Sequence, residues 1–396
     1  MTGYRYPPRF WWLCLGAYFF FGSFNMIIPE LPGMVERFGE TQHKGLIVSL
    51  FTLTALVARP FSGRLADSVG RVPVMVVGAA CCLLCSLLYP SLAGFTGFVW
   101  LRLLHGFSTG FSPTGFSAYV ADIIPADRRG EAIGLVTTFG SLGMASSPMF
   151  GGWMLDWLSL DAMFITSAVY GLVAMVIFAR LPETSAHREP FRARHLLVRF
   201  DDLYDPSVWA PCLVMVLTAY SYGAMLTLIP DRSEELGLSN KGSMFMVFAL
   251  ASVAVRIVAG RLSDRFGRIR ILMGGVLLLI TGMTLASQAQ SVASLTVACI
   301  AYGMSNGITS PTLFAWATDL CPPERRARAF ALLYIALELG IGLGALLSGY
   351  LLEDMVRVNS MTFLAGAISG CVALVYLVHR SQFFKWNNPI GDGPRP

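Results

Sequence analysis

The sequence predicts an all-α membrane protein, twelve transmembrane helices arranged as two parallel six-helix repeats. Three observations carry this. The 396 residues are 55% hydrophobic and 13% charged, with a mean hydropathy of +0.61, whereas an ordinary soluble chain is about 25% charged. Apolar runs long enough to cross a bilayer recur twelve times. The chain also matches itself at an offset of 197 residues, the separation of Arg59 from Arg256. The charge deficit excludes a soluble enzyme, a disordered protein and a nucleic-acid binder. The net charge of +5 names no partner, because basic residues gather on the inner side of membrane proteins.

A spanning helix needs about 20 apolar residues. Such runs cover residues 10–28, 44–62, 72–90, 97–119, 133–155, 162–180, 208–229, 243–262, 270–288, 294–317, 329–351 and 360–379. In lipid each backbone N–H and C=O must be satisfied within its own segment, so these runs are helices even through the β-branched Val74-Met75-Val76-Val77. The first run, from Phe10 to Ile28, is too long for a signal-peptide core, and no A-x-A-like cleavage site follows it. The connections are short except for one basic segment. The expected division is therefore a first six-helix half at 1–180, a linker at 181–206 and a second half at 207–396. The linker carries Arg192, Arg194, Arg199 and the apolar patch Leu196-Leu197-Val198, so it reads either as an interfacial segment on the anionic inner leaflet or as a flexible tether.

Orientation follows from the basic residues. With the N-terminus inside, 21 of the 29 Lys and Arg fall on the cytoplasmic side and five on the other, while Arg59, Arg102 and Arg256 lie within spans. That asymmetry puts both termini in the cytoplasm. Short loops and the lack of an N-x-S/T sequon suit a bacterial inner (plasma) membrane. The eight cysteines sit almost entirely in apolar runs. Cys82-x-x-Cys85 has redox-motif spacing, but without polar neighbours it reads as small apolar filler, so neither a disulfide nor a metal site is expected.

The offset of 197 aligns the thirteen residues Arg59 to Arg71 with Arg256 to Arg268, and seven are identical. It also pairs Lys44-Gly45 with Lys241-Gly242, Gly106 with Gly303, Gly110 with Gly307, Asp122 with Asp319, Pro125 with Pro322 and Arg128-Arg129 with Arg325-Arg326. Parallel repeats about an axis along the membrane normal are a transporter architecture, with the solute site near the midplane between the halves.

Within this repeat, Gly63-Arg-Leu-Ala-Asp67-Ser-Val-Gly70-Arg71 resembles motif A of the major facilitator superfamily, with Ser68 where a basic residue is common. The segment from Gly260 through Asp264 and Gly267 to Arg268 looks like its second copy. Arg102 to Gly106 resembles motif B of helix four, with His105 in place of the usual Gln. Gly134, Gly143, Ser147-Pro148 and Gly151 follow the spacing of the helix-five motif C associated with antiporters, with Ser147 replacing a Gly. The resemblance covers essentially the whole chain.

It implies that Asp67, Arg71 and Asp122 form a charge network closing the cytoplasmic side, with Asp264, Arg268 and Asp319 as a weaker second copy. The alternative is that these charges only fix topology. Gly63 and Gly70 are expected to allow tight backbone packing. Arg102 costs at least ~2.5 kcal/mol inside a span unless it meets a polar cavity or partner; it reads as a cavity residue or as one snorkelling outward. His105 shares its helix face and reads equally as a proton relay or a packing hydrogen bonder. Glu338 is a carboxylate deep in a span, as proton coupling requires, or a structural hydrogen bonder. Many proton-coupled drug exporters carry an acid in helix one, where this chain has Asn25. Arg59 and Arg256 read as snorkelling gate charges near the cytoplasmic ends of their helices. Asn25, Tyr222, Asn306 and Trp316 are polar groups at cavity depth. Gly340-x-x-x-Gly344-x-x-x-Ser348 is a helix-packing strip, and no Walker A motif occurs.

The expected function is secondary transport by alternating access, a proton-coupled export of small organic or amphipathic solutes; the alternative is a proton-solute symporter for uptake. A non-transporting membrane sensor would lack the gate network. No cofactor is expected. The expected partners are a small-molecule solute, protons and the lipid bilayer, with no nucleic acid, and the chain is expected to work as a monomer.

Overall fold

A computed structural model describes residues 5–125, 128–185, 189–192, 206–321, 326–350 and 355–387. Most of the linker lies outside the described residues, including Arg194, Arg199 and the patch at 196–198, as do Pro322 and Arg325. Among the described residues there is no strand. The described residues form twelve long helices: α1 Pro8–Ile27, α2 Leu46–Ser68, α3 Arg71–Leu88, α4 Phe95–Ile123, α5 Arg129–Trp157, α6 Leu160–Ala179, α7 Trp209–Glu235, α8 Ser243–Phe266, α9 Arg268–Ser287, α10 Val292–Leu320, α11 Arg326–Tyr350 and α12 Met355–Asn387. A short helix, Leu31–Arg37, follows α1.

Length and hydropathy alone qualify nine of these as spans, or ten when α8, bent by 46° after Arg256, is taken as one. The helices that fail are α4 and α5. Their sequences are rich in Gly, Ser and Thr, and the small residues are used for contact with neighbouring helices. Leu53, Leu84, Trp100, Ile368 and Val375 point outward and stay exposed, as a lipid-facing surface requires.

Local signals start and stop the helices. Pro8 stands at the first position of α1, where its missing N–H costs nothing. Ser159 caps α6 by accepting from the Ala162 N–H at 3.1 Å. Ser291 and Ser294 form a reciprocal capping box at α10. Between α2 and α3 the chain turns through Gly70 at φ 134°, and between α8 and α9 through Gly267 at φ 91°, conformations that disfavour any side chain.

The two halves repeat at the level of packing. In the first, Gly106 and Gly110 of α4 lie against the backbone of α2 at Phe51 and Ala55; in the second, Gly303 and Gly307 of α10 lie against α8 at Phe248 and Ser252. Each contact follows from the previous one by adding 197. Gly143 and Gly151 of α5 meet the carbonyls of Tyr18 and Met26 on α1, and Gly340 and Gly344 of α11 meet those of Val216 and Tyr220 on α7. These small-residue seams let helix axes approach closely where lipid supplies no hydrophobic drive for association.

Between the halves, α2 packs on α11 and α5 packs on α8. At the face away from the termini these contacts are tight: Gly45 sits on the backbone of Ala345 and Gly349, and Gly242 on the carbonyl of Pro148. At the termini face they are not. A Cβ on Gly63 would meet only Thr114 at 4.0 Å, and one on Gly260 would meet nothing within 4 Å among the described residues. The expectation that Gly63 is needed for tight packing is therefore corrected. Gly70 alone in its motif is crowded, its Cβ position lying 2.5 Å from the Glu183 carboxylate.

Candidate functional site

A cavity lies between the halves, bounded by Ile28 and Leu226 towards the face away from the termini and by Pro113, Thr137 and Tyr334 towards the termini. Its charged lining consists of Arg59, Arg102, Arg256 and Glu338. Asn25, Tyr222 and Asn306 also line it, so the structure brings these seven sequence-selected polar groups into one space.

Arg59 Nη2 donates to Glu338 Oε1 at 2.8 Å, joining α2 to α11. The two residues are each 7% exposed, and the guanidinium lies 4.3 Å from the centre of the Tyr334 ring. The snorkelling assignment for Arg59 is thus corrected. It stands nine residues before the end of α2 at Ser68, about 14 Å at 1.5 Å per residue, and it turns inward to its counter-ion because an unpaired buried charge costs far more than a paired one.

Arg102 is 1% exposed. It donates from Nε to the Ile47 carbonyl at 2.6 Å and from Nη1 to the Tyr89 hydroxyl at 3.2 Å, and lies 4.8 Å from the Phe51 ring centre. Its outward snorkelling alternative does not occur. His105 is fully buried and does not line the cavity, which corrects its placement there. It sits beside Phe24 and Phe51 with Nδ1 3.4 Å from the Tyr89 hydroxyl, and Nε2 has no partner among the described residues. The two share Tyr89 and Phe51 as neighbours, as residues three apart on a helix do, but only Arg102 reaches the cavity. Trp316 is likewise absent from the cavity; it packs in the core of the second half under Arg380.

Arg256 also lines the cavity rather than reaching a headgroup, and its Nη1 donates to Ser141 Oγ at 3.2 Å. Asn25 donates to the Phe21 carbonyl at 2.8 Å, and Asn306 Oδ1 lies 3.5 Å from Ser252 Oγ.

At the termini face the two motif copies have the same geometry. Arg71 bonds Asp67 at 2.7 Å and Asp122 at 3.1 Å; Arg268 bonds Asp264, and Asp319 at 2.9 Å. The first copy has an addition that sequence reasoning missed. Glu183, just past α6, accepts the N–H groups of Arg71 and Val72 at 3.0 Å each, and Thr184 donates to Asp122 at 2.6 Å. Nothing in the sequence marks that pairing, since 112 positions separate Glu183 from Arg71.

A second lock missed by sequence reasoning sits at the opposite face. Lys44, before α2, pairs with Asp231 of α7 at 2.9 Å and with Glu36 at 2.6 Å. Burial alone would lower the Lys44 pKa, but Asp231 and Glu36 outweigh it and hold the ammonium above the ordinary lysine value. Asn240 reinforces the closure, donating across the halves to the Met149 carbonyl at 3.1 Å. The sequence offered Lys44 only as a landmark of the repeat.

Comparison with known proteins adds the following. The Major Facilitator Superfamily model matches residues 13–241 and again 211–396. The staphylopine export protein of Staphylococcus aureus is 25% identical over 359 residues, 87% of each chain. A homologue of the multi-drug resistance efflux pump PmrA from Lactococcus lactis is 25% identical over 375 residues, covering 88% of this chain and 90% of its own. The multidrug resistance protein MdtG of Klebsiella pneumoniae is 27% identical over 76% of each chain. The crystal structure of the human organic anion transporter MFSD10 (TETRAN) superimposes with a TM-score of 0.74 at 19% identity, over 94% of this chain and all of that one; at that identity the likeness concerns the fold.

Proposed function

The chain belongs to the Major Facilitator Superfamily, a multi-pass membrane transporter and not an enzyme, and on that premise we propose that it exports small organic, amphipathic solutes in exchange for protons by alternating access. Export is favoured over uptake by relatives that are export proteins and efflux pumps. The observation that carries proton coupling is the Arg59–Glu338 pair. It is buried, it borders the cavity and it ties one half to the other. A proton on Glu338 cancels the charge that holds α11 to α2, so protonation and the relative movement of the halves become one event. Arg102, held against α2 at Ile47 and Phe51, supplies a fixed positive charge in the same lining.

With both termini in the cytoplasm, the conformation reads as inward-facing: locked outside by Lys44, Asp231 and Asn240, with Gly63 and Gly260 uncovered inside. Residues 1–180 and 207–396 then rock about the cavity; Asp67, Arg71 and Asp122 are already bonded to one another within the first half, and they act as the inner gate by engaging the second half when the outer lock opens. The small solute, the proton and the bilayer are the partners, and a monomer holds the complete cavity.

The test is proton movement in everted membrane vesicles, acid-loaded and followed with a pH-quenched dye, as solutes are added. Solute-triggered alkalinisation in wild type and its loss in Glu338→Gln support the reading. Alkalinisation that persists in Glu338→Gln removes Glu338 from the coupling step, and solute accumulation with no proton movement overturns antiport.

A further inference from the structure

The repeat that carries α2 onto α8 also carries α5 onto α11, and at the same offset Arg59 becomes Arg256 and Ser141 becomes Glu338. The Arg59–Glu338 and Arg256–Ser141 contacts between the halves at the level of the cavity are therefore copies of one another. In one, a guanidinium meets a carboxylate at 2.8 Å; in the other, a guanidinium meets a neutral hydroxyl at 3.2 Å. A guanidinium has five N–H donors and no acceptor. Arg256 Nε is buried without a partner among the described residues, and its Nη1 finds only Ser141. Arg102 is held by a carbonyl, a hydroxyl and a ring, none of them anionic. The cavity lining thus holds three guanidiniums and one carboxylate, leaving two positive charges without a counter-ion among the described residues in a wall of low dielectric, where such a charge demands one. Tyr222 and Tyr302 line the same cavity as Arg256, and their rings stack on Phe248 with centroids 5.7 and 5.6 Å apart, an aromatic lining for the body of a solute.

We propose that the transported solute is an amphipathic organic anion whose oxyanion head, a carboxylate or its equivalent, pairs with Arg256 beside Ser141 in the position that Glu338 holds against Arg59. Arg102 is the second positive group of the site, and the Tyr222–Phe248–Tyr302 stack receives the apolar body. The solute then completes the α5–α8 contact as Glu338 completes the α2–α11 contact, so solute and proton act on equivalent joints. This rests on the reading that the cavity is the transport site, though not on proton coupling.

The experiment is calorimetric titration of the purified protein with three solutes sharing one ring system: 2-naphthoate, the cationic 2-naphthylmethylammonium and the neutral 2-naphthylmethanol. Naphthoate is expected to bind roughly tenfold or more tightly than either of the others. Arg256→Gln and Ser141→Glu should each weaken naphthoate by about the same factor; the second does so by giving Arg256 an internal carboxylate, which also protects its fold. Equal or tighter binding of the cation or the neutral compound, no naphthoate binding, or unchanged naphthoate binding in Ser141→Glu overturns the proposal. Titration needs no gradient, so naphthoate binding without proton movement in vesicles sinks antiport and leaves the anion site standing, while proton movement driven by cations alone does the reverse.

Discussion

Arg59 and Glu338 stand 279 residues apart in sequence and 2.8 Å apart in space, and their contact is the polar bond between α2 and α11 at the level of the cavity. Removing one member of a buried pair costs about 3–5 kcal/mol, and water reaching the cavity brings the expectation to the lower end of that range. Glu338→Gln and Arg59→Gln are each expected to lower the melting temperature in detergent, and the double variant to recover most of the loss because no charge is left alone. Thermal unfolding of the four proteins checks this; equal destabilisation by the single and double variants removes the pair from the stability of this conformation.

Asp67 is exposed while Arg71 is mostly covered, so their bond adds less than about 1 kcal/mol to stability. Asp67→Asn should accordingly insert and fold normally yet abolish transport, through loss of the gate. Asp264→Asn should retain part of the activity. Membrane expression level and vesicle transport, measured side by side, decide the matter; full transport by well-expressed Asp67→Asn eliminates the gating role.

Lys44 closes the face opposite the termini. A raised pKa means that the stabilisation is complete below the ordinary lysine value and is lost only as pH rises through the still higher folded value. Lysine protonation should therefore leave this closure unchanged from about pH 6 to 9, whereas Lys44→Met should loosen it at every pH. Spin-label distances across that face report both effects, and a widening with pH inside that window contradicts the assignment.

Glu183 caps α3 from a position past α6, and a cap of this kind is worth about 0.5–2 kcal/mol. Glu183→Ala is expected to lower stability by that amount. Gly70→Ala should cost more, since it adds a side chain at φ 134° and drives it against Glu183. Urea or thermal unfolding ranks them, and the opposite order rejects the crowding argument.

The helices were legible in the sequence, and so were the repeat and the residue types of the site. The rotation of each helix was not. Arg102 and His105 occupy one face by spacing, yet one borders the cavity and the other is enclosed by Tyr89, Phe24 and Phe51. Trp316 and Arg59 exchanged the roles their depth implied. The Arg256–Ser141 contact could have been found by adding 197 to Ser141, but a serine in a span attracts no notice until its counterpart is seen holding an arginine.

By itself the sequence determined how many times the chain crosses the membrane and that its two halves are copies. In lipid a backbone cannot lean on water, so an apolar run of sufficient length has one solution, and motif residues repeated at a fixed offset have one alignment. Only the tertiary structure decided which side chains face the cavity. Helices here are apolar towards lipid and towards one another alike, so no amphipathic stripe marks the inward face. That face is set where glycines such as Gly106, Gly143 and Gly344 let one backbone settle against another, and those contacts bring Arg59 to Glu338 and Arg256 to Ser141.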